Sequence, residues 1–384
     1  MLAAPESNKE KATYSKKFFF IASIAATLIA LSGFYSPAVA EDLRDRVLPI
    51  MTRNLDEGTD FGPIFQATTP QDFAIQVAAA YLEVQASNIP ERAAAIADEI
   101  AAQQPYLVGL QEVSVWSTGP LFMRADTETF NALRSLLSAL AARGQQYTVI
   151  AILKEFEAEA PSALGIEIGF ADFDVLIART DLSVSELKVS NIQAQHFLAN
   201  LVLPNPILGP VTIPHGWISV DGKLRGKNFR FITTHLEGFH PAVQAAQASE
   251  LVQGPGNTDL PVIIAGDLNT APLASFGVPG CPPPGGSPAT NPAYNIIASA
   301  GFADAWVILH PSDSGFTWPL HCEDPFTPFT TPDQRLDLVL FRNGHKGLDA
   351  LTTDLIGDRP SDLTPSGLWP SDHAGLASVF RLEP

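Results

Sequence analysis

The chain has 384 residues, 46% of them hydrophobic and 17% charged, which is enough apolar content for a large core and excludes a disordered or collagen-like polymer. Its formal net charge of −18, from 23 Lys and Arg against 41 Asp and Glu, repels polyanions at long range and excludes a basic protein that coats nucleic acid. An enzyme that holds one phosphate locally stays open, and 2 cysteines are too few for a small disulfide-built module.

In chain order, Lys9, Lys11, Lys16 and Lys17 precede an apolar run from Phe18 to Ser32, followed by Gly33, Pro37, the triplet Ala38-Val39-Ala40 and then Glu41-Asp42. A basic segment, a short apolar core and an A-x-A end predict a secretory signal peptide over 1–40, cleaved after Ala40. The run is shorter than the roughly 20 residues a membrane-spanning helix needs. An uncleaved anchor is the alternative, and the Gly and Pro breaks oppose it. Export implies a secreted or periplasmic mature chain. In such an oxidising compartment Cys281 and Cys322 are expected to pair as a disulfide.

Arg46–Asn54 reads as a strand with a polar end, and 71–86 and 90–103 read as helices, the second with Pro90 in its first turn. Tyr106–Leu110 is a short apolar strand that runs into Gln111-Glu112. Residues 128–142 read as a helix, and Tyr147–Leu153 and Phe173–Ala178 as strands. Phe229–Thr234 is a strand ending at His235, Pro241–Val252 a helix, and Pro261–Ala265 a strand ending in Gly266-Asp267-Leu268-Asn269. A Pro- and Gly-rich loop spans 271–293. Arg335–Phe341 is a strand, and Leu376–Phe380 is the last one, after Ser371-Asp372-His373. Strands mixed with fewer helices in one continuous pattern predict a single α/β sandwich domain over 41–384.

Most of these strands end in acids, amides or histidines: Asn54, Glu112, His235, Asp267, Asn269, Asp337, Asp372 and His373. A residue just past a strand end is held by a rigid sheet, where a catalytic constellation is fixed best. Carboxylates and amides are hard oxygen ligands suited to Mg2+ or Mn2+, and histidines exchange protons near neutral pH. Each piece alone has a plain structural reading. Asn54 and the Gly266–Asn269 segment suit turns, a lone His235 suits a core, Glu112 suits a surface, and Asp337 suits a pair with Arg335.

Their joint order resembles the endonuclease/exonuclease/phosphatase superfamily, the deoxyribonuclease-I-like fold, in the manner of a secreted bacterial-type member. The matching segments are MTRNL at 51–55, LQEV at 110–113, TTHL at 233–236, GDLN at 266–269, RLDLV at 335–339 and SDH at 371–373. The resemblance implies a four-layered α/β sandwich of two packed mixed sheets flanked by helices. It implies that Glu112 and Asn54 form the metal site for Mg2+ or Mn2+, with Asp372 adding a contact. Asp267 and Asn269 would orient the attacking water and stabilise the phosphate. His373 would contact that phosphate, oriented by Asp337, and His235 would assist the leaving group. Asp174 is acidic where many relatives carry a small or amide residue, and Glu155 and Glu157 are candidates for the carboxylate partner of His235. Trp217 and Trp318 are expected in the core or a groove wall.

The expected activity is divalent-metal-dependent hydrolysis of a phosphoric ester by direct in-line water attack, since no serine or cysteine stands out as a covalent nucleophile. The substrate is open between nucleic acid, a small phosphate and a phospholipid head group. For a sphingomyelinase-like phospholipase C, the sequence offers no evident aromatic hairpin to enter lipid. A catalytically silent secreted binding protein with the same fold is the alternative from another class. A monomer without a stable protein partner is expected.

Overall fold

The computed structural model describes residues 46–270, 272, 292–321, 332–343 and 347–383. The signal segment, its cleavage site, Cys281 and Cys322 lie outside the described residues.

Strand β1, Val47–Asn54, is followed by helices α1, Gly62–Gln66, α2, Pro70–Ala86, and α3, Ile89–Gln103. The Thr69 hydroxyl caps α2 by accepting from the Asp72 amide at 3.1 Å. Strands β2, Leu107–Gln111, β3, Val115–Pro120, and β4, Thr127–Asn131, precede helix α4, Ala132–Ala142. The helix expected over 128–142 therefore begins later. Thr127, Thr129 and Phe130 favour extended backbone, and the Asn131 side chain accepts from the Arg134 amide at 2.9 Å, marking the start of α4.

Two long strands follow, β5, Tyr147–Pro161, and β6, Ile166–Arg179, then β7, Leu187–His196, the hairpin β8, Leu201–Asn205, and β9, Gly209–Ile213, and β10, Gly216–Leu224. The order closes with β11, Lys227–His235, α5, Pro241–Gln253, β12, Val262–Asp267, α6, Pro292–Ser299, β13, Ala303–Asp304, α7, Ala305–Leu309, β14, Asp337–Arg342, β15, Leu348–Ile356, and β16, Gly375–Leu382.

Eight strands form one mixed sheet in the order β15-β16-β1-β2-β6-β3-β4, with β5 also on β6. Six form the second, β13-β14-β12-β11-β10-β7. Side chains alternate across each sheet. On one face of the first sheet Val108, Leu110, Val175 and Ile177 pack under Val84, Ile96, Ile100 and Leu136 of the helices. On its other face Leu48, Ile50, Leu107 and Leu176 meet Phe229, Phe231, Ile263, Ala265 and Val339 of the second sheet. The outer face of the second sheet, with Ile232, Ile264, Leu338 and Leu340, is covered by Ala248, Leu251, Ala293 and Ile297. The result is the expected four-layered α/β sandwich, two mixed sheets flanked by helices.

The inter-sheet faces change character along each strand. In β1 the inward series is Leu48, Ile50, Thr52, Asn54; in β11 it is Phe229, Phe231, Thr233, His235; in β12 it is Ile263, Ala265, Asp267. The antiparallel β14 runs Phe341, Val339, Asp337, and β6 runs Ala178, Leu176, Asp174, Asp172. One end of the sandwich interior is thus apolar and the other polar. Between them Thr52 donates to the Gln111 side chain at 3.1 Å, and Gln111 donates across to Thr233 at 2.9 Å.

Gly109 sits at this cross-sheet layer, where an added Cβ would lie 2.1 Å from Thr233 Oγ1. Gly109→Ala is expected to pry the sheets apart and cost about 1–3 kcal/mol. Urea unfolding that gave an unchanged midpoint would contradict this close approach.

Candidate active site

The polar end of the second sheet is built by register. His235 pairs with Asp267 across β11 and β12, and Asp267 pairs with Asp337 across β12 and β14, so the three stand in one row. The first sheet supplies Asn54 opposite Gln111 at the ends of β1 and β2. Glu112 follows β2 with a left-handed φ of 53°, and Asn269 follows β12 with φ 49°. Non-glycine residues adopt that region rarely, and here it turns both side chains back toward the row.

Asn54 Nδ2 donates to Glu112 Oε1 at 2.7 Å and to Asp267 Oδ2 at 3.2 Å, which joins the two sheets. Its Oδ1 accepts from the Asp56 amide at 2.8 Å, which fixes the orientation of the side-chain amide. The Asn269 amide donates to Asp267 Oδ1 at 2.9 Å, and its side-chain Nδ2 lies 3.1 Å from His235 Nε2. His373 Nδ1 and Asp337 Oδ2 are 2.8 Å apart, and His373 Nε2 faces Asp267 at 3.7 Å and Asp372 at 3.9 Å.

Burial and mutual repulsion set the charges. Burial pushes Glu112 well above the usual carboxylate range, and Asp372 adds to the shift. Burial also raises Asp267, to about 7, against the opposing pull of His373. For His373 burial acts downward, but the carboxylates of Asp337, Asp372 and Asp267 outweigh it and hold the imidazolium well above its ordinary value. His235 goes the other way, held neutral by burial with His215 and His373 adding to the effect.

Glu112, Asp267 and His373 each offer a ligand atom, all within 4.8 Å of one another. Two crowded, desolvated carboxylates beside an imidazole are the donor set a hard or borderline divalent cation relieves. The residues present therefore fit a metal ion held by Glu112 and Asp267, with Asn54 orienting the Glu112 oxygens.

The model of the Endonuclease/Exonuclease/phosphatase family matches residues 81–373. The chain belongs to this family. Among solved structures, TDP2 from D. rerio in complex with single strand DNA product is similar over 88% of this chain and 100% of its own, at 16% identity and a TM-score of 0.53. An endonuclease/exonuclease/phosphatase family protein from Leptotrichia buccalis is similar over 88% and 100%, at 15% identity and a TM-score of 0.51. The human Nocturnin catalytic domain, with bound sulfate anion, is similar over 88% and 94%, at 18% identity and a TM-score of 0.50. At such identities these likenesses concern the fold. No curated protein matches the sequence.

Within this family member, Asn54, Glu112, His235, Asp267, Asn269, Asp337, Asp372 and His373 converge at one end of the sandwich. Asp337 turns to His373, while Arg335 pairs with Asp304 at 2.9 Å. Trp217 is a core residue, and Trp318 donates its indole N–H to Asp372 at 3.0 Å as a wall of the site. Of the two candidate partners of His235, Glu157 is exposed and paired with Lys154, whereas Glu155 is buried.

Several supporting residues escape a motif reading. Arg53, fully buried, donates to the His373 carbonyl and pairs with Glu99 of α3 at 2.9 Å, tying the helix layer to the histidine. Thr317 Oγ1 accepts from the Asp337 amide at 3.2 Å. His215, which precedes Gly216 and Trp217, packs its ring against that of His235, tilted by 54° with centroids 4.7 Å apart. In sequence only the neighbouring tryptophan draws the eye.

Asp337→Asn removes the negative charge at His373 Nδ1. Because His373 is raised, its imidazolium persists above the ordinary histidine range, and the variant is expected to lose its proton at lower pH. Imidazole NMR titration checks the direction, and turnover should fall about 10²–10⁴-fold. An unmoved titration would remove Asp337 as the orienting group.

Proposed function

We propose that this chain is an exported, divalent-metal-dependent hydrolase of phosphoric esters, acting as a monomer by direct attack of water on phosphorus. The observation that carries the reading is the convergence of Glu112, Asp267 and His373 within 4.8 Å, in a member of the family. Mg2+ or Mn2+ held there would neutralise the charge that makes a phosphodiester resist attack and would stabilise the leaving oxygen.

The side chains supply the rest. Asp267, whose Oδ1 accepts from the Asn269 amide at 2.9 Å, would orient the attacking water beside the ion, which lowers that water's proton affinity. His373 enters as an imidazolium whose Nε2–H points at the acids, where it donates to an equatorial phosphate oxygen. The Asn269 side-chain Nδ2 donates to the Leu236 carbonyl at 2.9 Å and lies 3.1 Å from His235 Nε2, so it positions that imidazole at the same end. His235 is neutral in isolation, and an anionic ester beside it would raise its proton affinity and let it serve the leaving group.

A phospholipase C-like activity is the second reading, favoured by one specific feature. The turn between β3 and β4 presents Phe122 at 81% and Met123 at 64% exposure, an apolar tip that the sequence reading does not anticipate. Phe239, four residues beyond His235, is also exposed. Such groups suit an amphiphile more than a polyanion. The DNA product held by D. rerio TDP2 keeps nucleic acid among the substrates to test, although a −18 chain opposes long polyanions.

The test is a screen of bis-p-nitrophenyl phosphate, plasmid DNA, RNA, sphingomyelin and phosphomonoesters with Mg2+ or Mn2+. Turnover is expected on at least one diester, and its loss in Asp267→Ala with the circular dichroism unchanged. Wild-type protein inert toward the whole panel would favour a silent binding protein. Metal affinity should also rise from pH 6 to pH 8, because protons compete for Asp267 and Glu112 below their raised ionisation. Calorimetry in buffers of different ionisation enthalpy would show proton release on binding.

A further inference from the structure

A second group of buried polar side chains lies beside the row just described. Asp172 and Asp174 of β6 share the inward face with Leu176 and Ala178. The β5–β6 pairing slips between Lys154 and Phe156, so Glu155 is the extra residue of a bulge. A bulge re-aims the side chain it carries. Here Glu155 is turned inside, 2% exposed, while Lys154 and Glu157 on either side face solvent.

The opposite sheet brings His215, one residue before β10, with its ring 4.7 Å from His235. His215 Nδ1 stands 4.0 Å from Glu155 Oε2, and His215 Nε2 stands 3.8 Å from Glu237 Oε2. Neither oxygen of Glu155, neither oxygen of Asp174, nor His215 Nδ1 has a hydrogen-bond partner. Asp174 is 0% exposed. Such a concentration of unsatisfied buried atoms is expensive, and a native fold keeps it only where something answers it.

We propose that Glu155, Asp174 and His215 Nδ1 form a second divalent-cation site, distinct from that of Glu112 and Asp267, with Glu237 facing the far nitrogen of His215. Two donors each about 2.0–2.2 Å from a shared ion lie roughly 3–3.5 Å apart at tetrahedral or octahedral angles, so Glu155 and His215 Nδ1, 4.0 Å apart, must close slightly on it. A ligating histidine characteristically directs its other N–H to a carboxylate, and the unbonded Glu237 Oε2, 3.8 Å from His215 Nε2, is the oxygen that would close on it. Two carboxylates match the charge of one divalent ion, and a nitrogen donor favours Mn2+ or Zn2+ over Mg2+. Burial holds His215 down to about 4, so its lone pair is free at neutral pH. This trio does not meet the 4.8 Å mutual spacing of Glu112, Asp267 and His373, so binding must draw its carboxylates together. Occupancy would cancel negative charge beside the phosphate mouth and brace the contact of the His215 and His235 rings.

The experiment is equilibrium dialysis of the chelator-stripped full chain against Mn2+, followed by metal analysis. Two ions per chain are expected for the wild type, one for Glu112→Gln, and one for the Glu155→Gln, Asp174→Asn double variant. A double variant that binds as many ions as the wild type overturns the site. So does a wild type whose single ion is lost in Glu112→Gln. Failure of the first site shows differently, as a Glu112→Gln variant that loses no ion. If the double variant does not fold, spin-echo spectroscopy of Mn2+ in Glu112→Gln should show imidazole nitrogen, and adding His215→Asn should remove it. Nitrogen coupling that persists without His215 refutes the assignment.

Discussion

The site depends on one packing constraint: two sheets held face to face, with the same side-chain alternation that buries their apolar residues carrying acids and imidazoles inward at one end. Leu48 and Ile50 lead to Thr52 and Asn54, and Ile263 and Ala265 lead to Asp267, without any change of face. Packing at the apolar end therefore aims the polar end. Carboxylates as crowded as Glu112 and Asp267 repel one another in a low dielectric, and no local contact would assemble them. The inter-sheet core, with Phe229, Phe231 and Phe380 fully buried, supplies the cohesion that overrides this repulsion. The Thr52–Gln111–Thr233 chain marks the boundary, satisfying polar atoms just before the acids begin.

The two histidines show how one scaffold gives like side chains opposite charge states. Both are buried, and burial alone would make both neutral. His373 escapes because three carboxylates surround it and Asp337 accepts at its Nδ1, 2.8 Å away. His235 has Asn269 and the His215 ring beside it and Asp267 at 3.7 Å from its Nε2, but burial outweighs that single carboxylate, with His215 and His373 adding to the downward shift. Arg53 adds a mechanical link, since its guanidinium spans from Glu99 on a helix to the backbone of His373.

The parts legible in the sequence were those with local signatures. A short apolar run ending in Asp-Leu-Asn or Gln-Glu states both a strand and the polar cluster at its tip. Strands such as β7 and β4 carry mostly exposed residues, so no apolar run marks them, and β4 was absorbed into the helix that follows. Asp174 is conspicuous in sequence, but its burial is not, because that depends on β10 and β11 of the second sheet, more than forty residues away. Glu155 and Glu157 look alike as residues. Only a bulge in the ladder sends one inside and leaves the other in water. His215 is likewise invisible until β10 lies against β11.

The acid-rich surroundings also bear on recognition. A phosphate approaching Glu112, Asp267 and Asp372 meets repulsion from every one of them, and one nearby donor, His373 Nε2–H, is too little to compensate for it alone. Binding of an anionic ester thus requires that the carboxylates be neutralised first, by cation or by proton. Under the proposed function the ester's own charge then matters less than the fit of its uncharged part, with Trp318, bonded to Asp372, as one wall. On the proposed reading, an acidic enzyme of this family is selected toward esters of low total charge, and the apolar tip at Phe122 and Met123 extends the same preference beyond the mouth.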